Sequence, residues 1–123
     1  EKYQMNITAP EEVKLSELDE VEIYANIFNG SERTSVVFQV GKMVRWMKMS
    51  RTVEKDPGYI QAFERDSKAT ERLSPRMSAP KASTHLWKAK LPSKLSAGPQ
   101  LIHVRSTDPN GQTHDGYRVI RVK

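Results

Sequence analysis

Apolar and polar residues alternate along much of this chain, which is the period expected of strands that bury one face. The clearest run covers residues 21–27, where every second residue is apolar, and it ends at Asn-Gly-Ser, a sequence that favours a turn. Similar runs cover residues 34–41, 85–91 and 100–106. The pattern therefore predicts a mainly β protein.

Shorter runs at 2–7 and 117–122 add two more strands, and another strand is expected around 44–51. In that last segment both faces carry large apolar groups, so the pattern does not choose the buried one. Two packed antiparallel sheets are the simplest way to bury so many half-apolar strands. We therefore expect an immunoglobulin-like antiparallel β-sandwich of about seven strands.

One segment departs from the strand pattern. Asp56 can cap a helix, and Pro57 suits the first helical position, where its missing N–H has no cost. The apolar residues that follow recur at helical spacing: Tyr59, Ile60 and Phe63. The sequence thus predicts one short amphipathic helix at about residues 57–72, inserted in the β pattern and laid on the sheets.

Composition narrows the class of protein. A chain of 123 residues fits a single domain. Cysteine is absent, which excludes disulfides, thiolate nucleophiles and cysteine-ligated zinc. No apolar run approaches the roughly 20 residues that a transmembrane helix requires, so no membrane span is predicted.

Charge is distributed unevenly along the chain, whose net charge is +5. Residues 1–32 hold eight acidic and two basic residues, whereas the remainder holds eighteen basic and seven acidic ones. A positive region attracts anions or an acidic partner, although ordinary solvated lysines account for the same counts. If the last three strands pair as neighbours, their outward basic residues form one positive face. These candidate anion- or partner-contact residues are Lys88, Lys90, Arg105 and Arg118.

The chain offers no recognisable catalytic motif. Its three histidines, His85, His103 and His114, do not occur at a spacing typical of metal ligands. Alternation places His85 on an inward face and His103 on an outward face, so these two are not expected to converge. Nucleophile-elbow and phosphate-loop sequences are missing too. We therefore predict no catalytic residue, no metal ligand and no cofactor in this chain. Nucleic acid is not expected as a partner, because the positive charge comes without a recognisable binding module.

Aromatic residues permit two interpretations. Trp87 alternates with other apolar residues, which favours a place in the core. Trp46 or Tyr24, if exposed, could form a stacking surface for sugars.

Several ordered segments together resemble the C-terminal domain of bacterial calcineurin-like metallophosphoesterases, and the resemblance spans nearly the whole chain. They are Tyr3-Gln4-Met5-Asn6, Asn26-Ile27-Phe28-Asn29-Gly30-Ser31-Glu32, Val53-Glu54-Lys55-Asp56-Pro57, His85-Leu86-Trp87-Lys88-Ala89-Lys90-Leu91-Pro92, Leu95, Gly98, Ile102-His103-Val104-Arg105-Ser106-Thr107-Asp108 and Gly111-Gln112-Thr113.

The resemblance implies a single β-sandwich accessory domain, residues 1–123, excised from the C-terminus of a larger exported protein that is periplasmic or at the cell surface. The implied partners are the parent catalytic domain in cis and an anionic substrate. Divalent metals are then expected only in the catalytic domain, whose D-x-H, G-D and N-H-D/E motifs do not occur in this chain.

Three hypotheses for the function follow. The leading one is a non-catalytic accessory domain of a calcineurin-like metallophosphoesterase, which packs on the catalytic domain or helps to bind its anionic substrate. The second is a carbohydrate- or cell-surface-binding sandwich, which requires Trp46 or Tyr24 to be exposed. The third is a structural spacer without a ligand.

Overall fold

The chain forms two β-sheets in a computed structural model that describes residues 5–28, 30–67 and 82–123. The four-stranded sheet has the order β1-β3-β7-β6 and the five-stranded sheet the order β2-β9-β8-β4-β5. The strands of the first sheet are β1 (Met5–Thr8), β3 (Glu22–Ile27), β6 (Ser50–Lys55) and β7 (Ala82–Lys90). Those of the second are β2 (Glu12–Val13), β4 (Ser35–Val40), β5 (Met47–Lys48), β8 (Gly98–Thr107) and β9 (Thr113–Val122).

The core lies between the two sheets and is formed by the alternating apolar residues. On β3 these are Ile23, Ala25 and Ile27, and they face Phe38 of β4, whose side chain is fully buried. Trp87 joins this cluster with an exposed fraction of only 2%. The predictions of a mainly β fold with two packed layers and of a core position for Trp87 are therefore confirmed.

Seven of the described strands have four or more residues, which matches the expected number. Two additional strands, β2 and β5, have two residues each. The pair β2–β9 is parallel, whereas the longer strands of the described residues pair antiparallel. The order of the strands is compatible with an immunoglobulin-like arrangement, which stays a prediction.

The segment around 44–51 forms parts of two strands instead of one. β5 pairs with β4 in the five-stranded sheet, whereas β6 pairs with β7 in the other. Met49, between them, is buried in the core, and its backbone N–H donates to the carbonyl oxygen of Val36. The chain changes sheets at this residue, which explains why large apolar groups occur on both faces of the segment.

The α-helix, α1 (Pro57–Ser67), begins where it was predicted. Its start is fixed by the buried Asp56 carboxylate, which accepts hydrogen bonds from Gly58 N (2.8 Å) and from Asn26 Nδ2 (2.7 Å) on β3. Because Asn26 points to the outer face of the four-stranded sheet, these bonds hold the helix start on that face. The predicted end, at about residue 72, lies outside the described residues. A 3-10 helix, Leu15–Glu20, lies within residues 1–32, the part of the chain with the excess of acidic residues.

Candidate interaction surface

The outer face of the five-stranded sheet carries large apolar and aromatic side chains that stay exposed in the described part of the chain. Val119 and Tyr117 on β9 are 59% and 58% exposed, and Leu101 on β8 is 46% exposed. Trp46, just before β5, is 37% exposed and lies beside them. With His103 of β8, these residues form what we call the aromatic face.

Strand register places these residues side by side. In the β8–β9 pair, Leu101 is opposite Val119, and His103 is opposite Tyr117. Because side chains alternate along a strand, both pairs project to the same side, away from the core. The aromatic face is therefore fixed by two long hydrogen-bonded strands.

Ring contacts hold the centre of the aromatic face together. The His103 ring stacks on Tyr117 with 4.4 Å between ring centroids, and it meets Trp46 edge-on at 4.9 Å. The guanidinium carbon of Arg105 lies 4.9 Å from the centroid of the Trp46 ring. Such contacts restrict the side chains before any partner arrives, which lowers the entropic cost of binding.

The Asp115 carboxylate links His103 and Arg105 on this surface. Asp115 Oδ1 accepts hydrogen bonds from His103 Nε2 and from Arg105 Nε, both at 2.8 Å. Partial burial acts to raise the pKa of Asp115, but the hydrogen bonds from Arg105 and His103 outweigh it and lower that pKa. The surface thus combines apolar area with an ion pair, Arg105–Asp115, whose opposite charges largely cancel.

The four residues predicted to form one positive face do not share a face. Lys88 and Lys90 lie on β7 of the four-stranded sheet, whereas Arg105 and Arg118 lie on β8 and β9 of the other. The prediction was wrong in its geometry because it assumed that β7 pairs with β8. In fact β7 pairs with β3 and β6.

Lys88 is engaged in a polar network on the outer face of the four-stranded sheet. Its ammonium lies 3.2 Å from a carboxylate oxygen of Glu54 and 4.0 Å from one of Glu22. The Tyr24 hydroxyl is shared between the same two carboxylates, and it donates to Glu22 at 3.2 Å and to Glu54 at 3.4 Å. Burial, followed by the nearby charges of Glu22 and Glu54, raises the pKa of Tyr24 to about 12.

Arg118 faces the space between the sheets instead of solvent. It is opposite Ile102, a buried core residue, and its Nη1 donates to the carbonyl oxygen of Ile7 at 3.4 Å. Its Nε atom is buried without a hydrogen-bond partner among the described residues. Strict alternation along β9 would have revealed this, since Arg118 lies two residues before the core residue Ile120.

The sequence contains the outward apolar residues of the aromatic face, but the sequence analysis does not predict a surface there. The signal was present in the alternation, because Leu101 and Val119 occupy outward positions of strands whose inward positions are also apolar. Their meeting with Trp46 could not be read from the pattern, since it depends on where the 41–46 loop returns to the sheet.

The sequence matches a known protein family. A family model described as the C terminal of calcineurin-like phosphoesterase matches residues 1–114. The chain belongs to this family. No curated protein is significantly similar to it.

In this phosphoesterase C-terminal domain, the segments that carried the resemblance have structural contacts. Asn26 and Asp56 meet at the start of α1. His85 Nδ1 lies 2.7 Å from the carbonyl oxygen of Gly30, which joins β7 to the turn after β3. Asp108 Oδ1 accepts hydrogen bonds from the backbone of Asn110 and Gln112, which shapes the β8–β9 turn.

Across residues 5–28, 30–67 and 82–123, no three histidine or carboxylate side chains are grouped closely enough to hold a metal ion. Among the same residues, no helix has the length and apolar character needed to cross a membrane.

The exposure of Trp46 meets one condition of the carbohydrate-binding alternative, but the Trp46 ring already contacts two protein groups. Arg105 lies over the ring and His103 packs against it, where a sugar would have to stack. Tyr24 is only partly exposed and its hydroxyl is bound to two carboxylates. The carbohydrate-binding alternative stays a prediction without support from these contacts.

Proposed function

We propose that this chain is a non-catalytic accessory domain that packs through its aromatic face on the catalytic domain of the same phosphoesterase. The observation that supports this most is the exposed, preorganised cluster on the five-stranded sheet. Contiguous exposed apolar side chains mark interaction sites, and aromatic residues with arginine are enriched where binding energy is concentrated.

The family relationship supports the catalytic domain as the occupant of the aromatic face. A domain that forms the C-terminal part of phosphoesterases has a catalytic domain in the same chain, at a high effective concentration. An interface within one chain needs less affinity than one between free molecules, and domain interfaces combine apolar area with polar groups. The aromatic face, with its Arg105–Asp115 pair at one end, has this mixed character.

Oxidative footprinting tests the docking. Hydroxyl radicals label exposed Trp46 and Tyr117 in the isolated chain, and we expect both residues to be protected in the parent protein. Val119→Arg should restore their labelling in the parent, because it places a charge within the apolar contact. Val53→Arg is the matched control: Val53 is 58% exposed, against 59% for Val119, but lies on the other sheet. Equal labelling of Trp46 and Tyr117 in the isolated chain and the parent would contradict the docking.

An activity assay tests the non-catalytic role. The isolated chain should not hydrolyse a generic phosphodiester in the presence of manganese or zinc, whereas the parent protein should. Turnover by the isolated chain that is removed by chelation would refute an accessory role.

Three finer expectations belong to the same proposal. The chain is a single accessory domain, its parent is exported, and the parent acts on an anionic substrate. They rest on the family relationship and the net positive charge.

A further inference from the structure

A groove of about 620 Å³ opens at one end of the sandwich, between the loop that follows β4 and the segment that precedes β8. Apolar side chains form much of its lining: Val40, Met43, Leu95, Pro99 and Leu101. Two lysines, Lys42 and Lys94, line it as well. The groove therefore combines apolar walls with positive charge.

Hydrogen bonds to backbone carbonyl oxygens fix both walls of the groove. Gly41 N donates to the carbonyl oxygen of Leu101 (2.9 Å), which ties the 41–46 loop to β8. On the opposite wall, Gln100 Nε2 donates to the carbonyl oxygen of Ser96 (2.7 Å). Gly41 has φ +62°, a left-handed backbone conformation that favours glycine, and it lies close to the end of the Gln100 side chain. The groove is thus largely formed before any ligand binds.

The charge in the groove is not neutralised by the protein. No carboxylate lines it, and in the described part of the chain neither Lys42 nor Lys94 forms an ion pair. An acidic residue, Asp19, lines an adjoining recess that also contains Lys90 and Lys94. Two unpaired ammonium groups at one opening attract an anion, and each can donate to its oxygens.

We propose that this groove binds a soluble phosphate ester, with its phosphate at Lys42 and Lys94 and its apolar group against Met43, Leu95 and Leu101. The charge is complementary, since a phosphate carries up to two negative charges. The apolar walls select an ester with an aromatic or aliphatic group over the free anion. The site differs from the four basic residues predicted from the sequence. It shares Leu101 with the aromatic face, but its two lysines lie outside that face.

Titration of the 123-residue chain with phenyl phosphate, followed by amide chemical shifts, tests the site. We expect saturable shifts confined to residues 40–43 and 94–101, with inorganic phosphate binding more weakly and phenol not saturating. The double variant Lys42→Gln/Lys94→Gln should weaken binding of phenyl phosphate about tenfold or more, because two charge-assisted contacts are lost. Lys55→Gln, an exposed lysine on β6, is the control for the loss of charge and should bind as the unaltered chain does.

Two results would overturn the proposal. One is an absence of saturable shifts, or shifts that the double variant leaves unchanged. The other is binding to vesicles of anionic phospholipid without binding to phenyl phosphate, which would assign the groove to a membrane surface. Because this titration uses the isolated chain and the footprinting uses the parent, failure of one proposal is distinguishable from failure of the other.

Discussion

Close approach between backbone and side chain limits substitution at individual residues. Gly30 is buried against the Trp87 indole, and a Cβ at Gly30 would lie 2.6 Å from Trp87 Cη2. Gly116 on β9 is as crowded, with a Cβ that would lie 2.6 Å from Met5 Sδ. The two neighbours differ in mobility: the indole is rigid and fixed in the core, whereas a methionine side chain can change rotamer.

This difference predicts unequal effects of two identical substitutions. Gly30→Ala should lower the free energy of unfolding by about 1–3 kcal/mol, because the Trp87 ring cannot move without disturbing the core. Gly116→Ala should change it by less than about 1 kcal/mol, since Met5 can give way and alanine reduces the entropy of the unfolded chain. Urea unfolding of both variants measures the difference. Equal losses would show that Trp87 is free to shift.

At the scale of elements, the two sheets differ in what covers their outer faces. Leu86 on β7 is opposite Asn26 on the outward side of its sheet, yet it is fully buried. Asp56 binds Asn26, which holds the start of α1 on the same outer face. Leu101 occupies an outward position on the other sheet and stays 46% exposed. The outer face of the four-stranded sheet is thus covered at Leu86, whereas the aromatic face is exposed at Leu101.

Two leucine truncations compare the covered and uncovered faces. Leu86→Ala should cost about 2–5 kcal/mol of unfolding free energy, because the side chain is fully buried and its truncation leaves a cavity. Leu101→Ala should cost less than about 1 kcal/mol in the isolated chain, since the side chain is already half in water. Denaturant unfolding monitored by circular dichroism provides both values. A loss at Leu101 as large as that at Leu86 would mean that the aromatic face is part of the core.

At the scale of the whole molecule, ionisation of Tyr24 links stability to pH. The pKa of Tyr24 is raised in the folded chain from 10.0 to about 12, first by burial and then by Glu22 and Glu54. A folded-state pKa above the unfolded one means that the unfolded chain loses this proton first. The stabilisation is therefore complete below about pH 10 and is lost as pH rises to about 12.

Absorbance of tyrosinate checks this directly. The difference between the titrations of the unaltered chain and Tyr24→Phe should show one tyrosine ionising near pH 12. Glu54→Gln should lower that pKa, because it removes one of the two neighbouring negative charges. The free energy of unfolding should also fall less between about pH 10 and about pH 12 in Tyr24→Phe than in the unaltered chain. A Tyr24 titration at the ordinary value would contradict the network.

The local pattern determined much of the fold. Alternation located the longer strands and the inward residues of β3 and β4, because one buried face imposes a period of two wherever the sheet lies. The capping chemistry of Asp56 and Pro57 located the start of α1 for an equally local reason. Motif order also led to the family, to which the match over residues 1–114 assigns the chain.

Only the tertiary structure decided which strands become neighbours. Separation along the chain does not encode pairing, so the sequence could not show that β7 and β8 belong to different sheets or that Lys88 and Arg105 point apart. The same holds for both proposed sites. The aromatic face forms because Trp46 packs against His103 of β8. The groove forms because Lys42 and Lys94, which are more than fifty residues apart in the sequence, line the same opening. Such surfaces arise from long-range packing, which sets distances that local periodicity leaves free.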